Sequence, residues 1–419
     1  MSEVEAVRGT NGYKVVSTFS GCGGACLGFE MAGFEIVWAS EFVEEARRTY
    51  QANHPGVPVD GRDIREVTAE EILAATGLER GDLDVFEGSP PCASFSTAGK
   101  REKGWGEVKA YSDRVQRSDD LFFEYARLLD GLQPRVFTAE NVSGLVKGKA
   151  IGYFKEILTA LRSCGYAVEA KVLDASWLGV PQARQRLIFV GVRNDLVDRY
   201  KIRPAHPAPR LPRYAIRDVL EIDGTVIHDT RGSFGAERDV TDRPAPTITD
   251  AGGWGSSHFE VREKDRSIER DPETGQDIRL DRRPPRKRKA DPVTHDPETG
   301  QDITLDRYAI GAEWDKIRPG ESSERYFQLV RPSLREPVGT ITATGGGVGA
   351  ASVTHPTQKR KFTLEELRIL SSFPADFSLT GTYAQRWERI GRSVPPFMAK
   401  AIAETIRDEI LRRLDDAEG

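Results

Sequence analysis

Long apolar runs are missing from these 419 residues. No stretch approaches the roughly 18–20 apolar residues that span a bilayer, so no membrane association is expected. Residues 1–12 are polar and lack the apolar segment of a secretory signal, and the expected location is cytoplasmic. Cysteine is scarce as well, with four, at positions 22, 26, 92 and 164. That is too few for a disulfide framework in so long a chain. Cys22 and Cys26 have no second pair or histidine cluster to complete a metal site, so no metal is expected. Basic residues do not outnumber acidic ones, and the formal net charge of −5 disfavours a protein that coats nucleic acid indiscriminately. What remains is ordinary globular composition, 30% charged and 8% aromatic.

Length allows one large domain or two unequal ones. The first half alternates short apolar runs with amphipathic segments. Strands are predicted at 14–19, 34–40, 85–87, 136–138, 167–173 and 187–192, and helices at 24–31, 43–53, 121–132 and 153–162. That alternation points to a parallel, doubly wound α/β sheet. Composition shifts after about residue 203, where 204–212 is proline-rich. From there to about 360 the chain is polar and rich in Gly and Arg. It carries an internal repeat: Asp-Pro-Glu-Thr-Gly-Gln-Asp-Ile occurs at 271–278 and again at 296–303. Pro presets φ and Gly supplies a positive φ, so each copy reads as the turn of a β-hairpin. A looser echo relates 243–249 to 335–342, both ending in Thr-Ile-Thr. Between the repeats, 279–289 holds seven basic residues, among them Arg283, Arg286, Lys287 and Arg288, against the single acid Asp281. It reads either as a solvated loop or as a phosphate-binding patch. Helical periodicity returns at 363–372, where Thr363 and Glu366 form a capping box, and at 395–414. This tail is expected to pack back on the first domain. The organisation is therefore 13–203, an insert at 204–360, and a return segment at 361–419.

Four clusters could carry chemistry. Phe19-Ser-Gly21-Cys-Gly23-Gly24 sits where the first strand becomes the first helix, and Glu41 closes the second strand. A glycine-rich turn lets backbone approach a ligand closely, and an acid so placed can take a ribose hydroxyl pair. Alone, such a turn is equally a tight turn. Asp63-Ile64 ends the next expected strand, where an adenine ring would lie. Cys92 follows Gly-Ser-Pro-Pro91 at the end of the 85–87 strand, and by itself reads equally as a nucleophile or a buried structural thiol. Glu140-Asn-Val ends the strand after that, with a carboxyl that partial burial could equip to hold a proton. Gln182-Ala-Arg184-Gln-Arg186 alternates long polar groups, which places both arginines on one strand face.

Together and in this order, these motifs resemble the cytosine-specific (carbon-5) DNA methyltransferase family of the bacterial restriction-modification type. Gly391-Arg-Ser393-Val394-Pro-Pro resembles that family's closing element. The resemblance covers nearly all of the chain outside the middle of the 204–360 insert. It implies a Rossmann-like class I methyltransferase fold, a doubly wound sheet with a smaller β-rich target-recognition domain inserted. It implies S-adenosyl-L-methionine as cofactor and double-stranded DNA as partner, with the cytosine flipped out of the stack. Cys92 would attack carbon 6, Glu140 would contact ring nitrogen 3, Arg184 would hold the base's carbonyl side, and Arg186 would support the site. Phe19, Gly21, Gly23, Glu41, Phe42, Asp63, Ile64, Pro91, Leu121, Ser393 and Val394 match cofactor-pocket positions. Ser96 and Lys100 fall on a stretch, 95–105, that resembles a mobile DNA-closing loop with glycine hinges. Departures are Arg392 for the usual Asn, Ala93 for the common Gln, and Asp174 for a frequent Asn. The expected state is a monomer, functionally paired with a restriction endonuclease.

Three rivals compete with that reading. A tRNA cytosine methyltransferase shares the chemistry but has less use for a long duplex-reading insert. A nucleotide-dependent oxidoreductase would share the first turn and leave Pro-Pro-Cys and Glu-Asn-Val unexplained. A non-enzymatic DNA-binding regulator would want a helix-turn-helix, for which the residues before position 14 leave no room.

Overall fold

A computed structural model describes residues 1–91, 109–111, 114–116, 121–210, 213–220, 225–229, 238–239, 259–263, 268–270, 277–279 and 292–419. After a short N-terminal helix, α1 (Ser2–Val7), the chain alternates β1 (Lys14–Thr18), α2 (Gly24–Met31), β2 (Glu35–Ser40), α3 (Glu44–Asn53), β3 (Val59–Asp60), α4 (Ala69–Thr76) and β4 (Val85–Gly88). It continues through α5 (Leu121–Leu132), β5 (Val136–Val142), α6 (Ile151–Ser163), β6 (Tyr166–Asp174), β7 (Gln182–Ala183), β8 (Gln185–Arg193) and α7 (Asn194–Tyr200). The seven-stranded sheet has the order β3-β2-β1-β4-β5-β8-β6. Most elements fall within a residue or two of their predicted bounds, because apolar strands and amphipathic helices announce themselves by period.

One strand departs from the parallel expectation. β8 runs antiparallel to both β5 and β6, pairing Ile188 with Glu140 and with Lys171. Helix α6 lies between β5 and β6 and serves as a crossover, so these two keep one direction. Only a short turn separates β6 from β7 and β8, and so short a link can only reverse the chain.

Each face of the sheet has its own apolar layer. One gathers Val15, Ile36, Val85, Val136, Ile188 and Val190 with α2 residues such as Phe29 and with the C-terminal helices. The other gathers Val16, Trp38, Phe86, Phe137 and Phe189 with Ile72 of α4, Leu128 of α5 and Ile157 of α6. Alternate residues of one strand therefore feed opposite layers, as the pleat requires.

The return segment begins with α8 (Leu364–Leu370), capped as predicted by Thr363 and Glu366. It continues in α9 (Tyr383–Arg392), capped by Thr382 and Gln385, and α10 (Pro396–Ile406). A π turn at Arg407–Leu411 then leads into a last helix, Arg412–Glu418. Met398, Ile402, Ile406 and Ile410 share the apolar layer of α2 and β1.

Two compact units emerge: Met1–Val219 with Thr294–Gly419, and Leu220–Val293. The 204–360 insert is therefore divided, with 204–219 and 294–360 built into the sheet-bearing unit. Val338 and Gly339 pair in parallel with Gln182 and Ala183 of β7. The smaller unit contains an antiparallel three-stranded sheet, with Thr225–Asp229 between Arg238–Asp239 and Phe259–Glu263. It also holds the antiparallel pair Ile268–Arg270 and Asp277–Arg279. The repeat behaves as its sequence predicts. Arg270 pairs with Asp277 in one copy, and His295 bridges Asp302 in the other, the same register.

Candidate active site

The glycine-rich turn between β1 and α2 is made of residues in unusual backbone states. Phe19 has φ +55, Gly21 +57 and Gly23 +94. A phenylalanine in the left-handed region is held there only by its surroundings, and such outliers cluster at functional sites. At Gly23 a Cβ would stand 2.2 Å from Nε2 of His54. At Gly24 it would stand 2.4 Å from the carbonyl oxygen of Val394. The glycines thus admit α3 on one side and the closing Ser393-Val394 segment on the other. At Gly21 the same construction meets nothing within 4 Å among the described residues, so none of them closes the space beside the turn.

Glu41 borders that space. Its two carboxylate oxygens accept the amides of Gly21 (2.8 Å) and Val43 (2.7 Å). Burial raises its pKa, while the two amides and the nearby Arg389 cation pull the other way. A carboxylate offers about four acceptor sites, so acceptor capacity remains for a hydroxyl pair. Phe42 follows, half-buried. Asp63 caps the short helical turn Ile64–Glu66, accepting the Arg65 amide at 3.1 Å. Ile64 and Leu121 are enclosed in the same apolar layer, and Leu121 exposes no surface. Ser393 turns its hydroxyl to the Ile390 carbonyl at 2.9 Å.

The second half of the site lies at the ends of β4, β5 and β8. Asn141 donates to the Pro90 carbonyl at 3.2 Å, tying the Pro-Pro turn to the strand that bears Glu140. Arg186 Nε stands 2.6 Å from Glu140 Oε1, with the two side chains 14% and 15% exposed. Arg184 goes elsewhere. It is 1% exposed, and its guanidinium donates to the carbonyls of Ile341 (3.1 Å) and Gly391 (2.9 Å). The two arginines therefore do not share a target as expected. The strand breaks at Arg184, between β7 and β8, and the break turns its side chain to the 341 and 391 backbones. Cys92, Ser96, Lys100, Arg283, Arg286, Lys287 and Arg288 lie outside the described residues.

The C-5 cytosine-specific DNA methylase family matches residues 13–408. The chain belongs to this family. It is a DNA methyltransferase of the cytosine carbon-5 class.

The Type II methyltransferase M.NgoFVII of Neisseria gonorrhoeae is 29% identical to this methylase over 398 residues, covering 95% of this chain and 87% of the relative. M.NgoPII of the same organism is 34% identical over 210 residues, 50% of this chain; the match spans little more than half of that relative, 57%. Among solved structures, a provisionally assigned DNA modification methyltransferase encoded within an E. coli prophage superposes with a TM-score of 0.60 at 22% identity. It covers 95% of the methylase and 99% of the neighbour. At that identity the likeness speaks for the fold.

Several site features of the methylase were not anticipated. Glu87 is 4% exposed in the middle of the sheet, receiving Ser17 Oγ at 2.5 Å. The signal was available, since a carboxylate in a short run otherwise apolar on both faces breaks the pattern of a buried parallel strand. Arg389, 4% exposed, acts electrostatically on Glu41 from the return segment, and no local pattern marks it. Arg392, the departure in the closing element, pairs with Glu388 at 2.7 Å. Cys22 and Cys26 are buried and free. Burial pushes the Cys22 thiol up to about 11. Among the described residues no cluster of His, Cys, Asp or Glu could hold a metal. No described helix is long and apolar enough to cross a membrane.

Proposed function

We propose that this methylase transfers the methyl group of S-adenosyl-L-methionine to carbon 5 of a cytosine flipped out of double-stranded DNA, through a covalent adduct at Cys92. The observation that carries the proposal is the Asn141–Pro90 hydrogen bond beside the Glu140–Arg186 pair. It holds the chain two residues before Cys92 against the strand that bears the carboxyl.

The first turn fits a nucleoside cofactor. No described residue crowds Gly21, Glu41 keeps acceptor capacity, and Asp63-Ile64 lies beyond the next strand. Phe19, Gly23, Phe42, Pro91, Leu121, Ser393 and Val394 would complete the cradle. When bound, S-adenosylmethionine supplies an electrophilic methyl on a sulfonium.

The chain's own groups would do the rest. A Cys92 thiolate adds to carbon 6 of the ring, which gives carbon 5 enamine character. Glu140 holds the proton at ring nitrogen 3 and accepts the exocyclic amine. Arg186, beside Glu140, is better placed than Arg184 for the carbonyl side of the base, and Arg184 supports the site through the 341 and 391 backbones. Once carbon 5 is methylated, its proton leaves to water and the carbon 6–sulfur bond breaks, restoring the thiolate. A stacked cytosine is out of reach of such a crevice, hence the flip.

We assign target reading to the 204–360 insert, chiefly its part within the Leu220–Val293 unit, where the basic cluster falls. Lysine and arginine there would position the backbone, as would Ser96 and Lys100, while base-edge contacts specify the site. The Type II naming of the relatives supports a restriction endonuclease as functional partner.

The test uses duplex DNA, methyl-labelled S-adenosylmethionine, and DNA carrying 5-fluorocytosine, which cannot release its carbon-5 substituent. A labelled covalent adduct that disappears in Cys92→Ala supports the proposal. Label on adenine, or on RNA alone, overturns it.

A further inference from the structure

We infer that Glu87 is a positioning residue of this site, carrying a proton as an uncharged acid beneath the Glu140–Arg186 pair and so leaving Arg186 to Glu140 alone. The inference rests on the function proposed above, and its chemistry is internal to the chain.

Register places the groups. Glu87 pairs with Ser17 of β1 on one side and Thr138 of β5 on the other. Side chains alternate along a strand, so Glu140, two residues beyond Thr138, lies on the face that Glu87 shares. Ser17 Oγ, the donor to Glu87, is also 2.8 Å from Ser20 Oγ in the cofactor turn. Glu87 therefore sits between the two halves of the site and touches the first through two hydroxyls. None of the motifs that carry the family resemblance includes position 87.

The charges around it do not favour a second anion. From β5 comes the Glu140 carboxylate, and from β8 the Arg186 guanidinium, already 2.6 Å from Glu140. Arg184 is engaged with two carbonyls. From α2 comes the Cys26 thiol and from α3 Tyr50, both of which also feel Glu30 of α2. Glu30 is itself matched by Arg8 and His54, each at 2.9 Å. Tyr125 of α5 approaches from the other face, donating to the Phe86 and Thr138 carbonyls. Helix α10 adds apolar Met398 and Ile402. No cation among the described residues pairs with Glu87. A buried carboxylate without a cation takes up a proton instead. Burial, reinforced by the charge of Glu140, pushes this carboxyl up to about 8, against the pull of the Ser17 hydroxyl.

Losing that proton would set a second negative charge beside Glu140, competing for Arg186 and disturbing the Ser17–Ser20 link to the cofactor turn. Methyl transfer should then slow on the alkaline side. Glu87→Gln keeps the uncharged state at every pH, and Glu87→Ala keeps neither shape nor hydrogen bond.

Single-turnover methyl-transfer rates on duplex DNA, measured from pH 6 to 9 for the wild type and both variants, test this. The ratio of Glu87→Gln to wild type should be flat below pH 7 and rise about ten-fold by pH 9, as one ionisation near 8 demands. Gln should also restore most of what Ala loses. A ratio flat to pH 9, or a Gln variant no better than Ala, overturns the inference. Infrared spectra of the wild type with 13C-labelled glutamate add a readout independent of activity and of variant folding. A protonated-carboxyl band present at neutral pH and lost as pH passes 8 is expected, and its absence overturns the proposal. That band is absent from a folded Glu87→Gln variant if the assignment is right. Should no variant methylate DNA at all, the proposed function fails while the band still decides where the proton is.

Discussion

The glycine-rich turn after β1 and the ends of β4, β5 and β8 solve the same problem, placing polar groups at the edge of one sheet, in different ways. At the turn, backbone dominates. Glu41 is held by two amides, and Gly23 and Gly24 yield room to neighbouring elements. At the strand ends, side chains supply the links across strands: Arg186 to Glu140, and Asn141 to the Pro90 carbonyl. The first arrangement is stiff because dihedral angles fix it. The second depends on strand register, and a change of one partner leaves the other exposed in a half-buried setting.

Breaking the strand-end side should give the largest effect. Glu140→Ala is expected to lower the single-turnover rate by about 10²–10⁴-fold, the usual worth of a positioned proton-handling group. Cofactor affinity, measured by calorimetry, should change little. Arg184→Ala and Arg186→Ala then separate support from contact. Arg184→Ala removes two charge-assisted hydrogen bonds from an enclosed site, and urea unfolding should show a loss of about 3 kcal/mol or more. Arg186→Ala should cost less stability and more rate. The reverse ranking would return Arg184 to the base.

Glu87, between the two regions, gives a pH test of stability. Its folded pKa of about 8 lies above the ordinary carboxyl value of 4.5. The unfolded chain therefore loses this proton first, and wild-type stability falls as pH rises from about 4.5 to 8. The contribution is on the order of 5 kcal/mol from a shift of this size. Glu87→Gln should lack this decline, so its melting temperature should gain on the wild type across that window. A constant difference would sink the assignment.

Gly23→Ala sharpens the other side of the comparison. A Cβ at φ +94, 2.2 Å from His54, should cost about 1–3 kcal/mol. Cofactor affinity should weaken while DNA affinity measured without cofactor holds. The smallest effect is expected from Thr363→Ala, which removes the α8 cap. It should cost about 1 kcal/mol and leave both halves of the site kinetically intact.

The difference between the regions also explains how far the sequence could be read. The turn is a local object, so its place between β1 and α2 and the positive φ of Gly21 and Gly23 were legible from the glycine spacing. The antiparallel pairing that flanks the repeat was legible too: Arg270 pairs with Asp277 and His295 with Asp302. The division between Arg184 and Arg186 was not. Alternation placed both on one face, but it assumed an unbroken strand, and the chain interrupts its ladder at Arg184. Nor could the insert's boundary be read. Polar composition runs through 204–360 without a seam, while Val338 and Gly339 are claimed by β7. Helix α9, with Arg389 near Glu41, lay in a stretch whose periodicity gave no warning of its role.

By itself the sequence determined the elements, their alternation, and the ordered motifs that place this chain in its family. Those properties follow from local dihedral preference and apolar period. Tertiary structure alone decided that β8 runs backwards, that Arg186 and not Arg184 meets Glu140, and that Glu87 lies beneath them with no cation among the described residues. Those outcomes depend on which strands become neighbours and in what register, and on how far burial strips water from a charge.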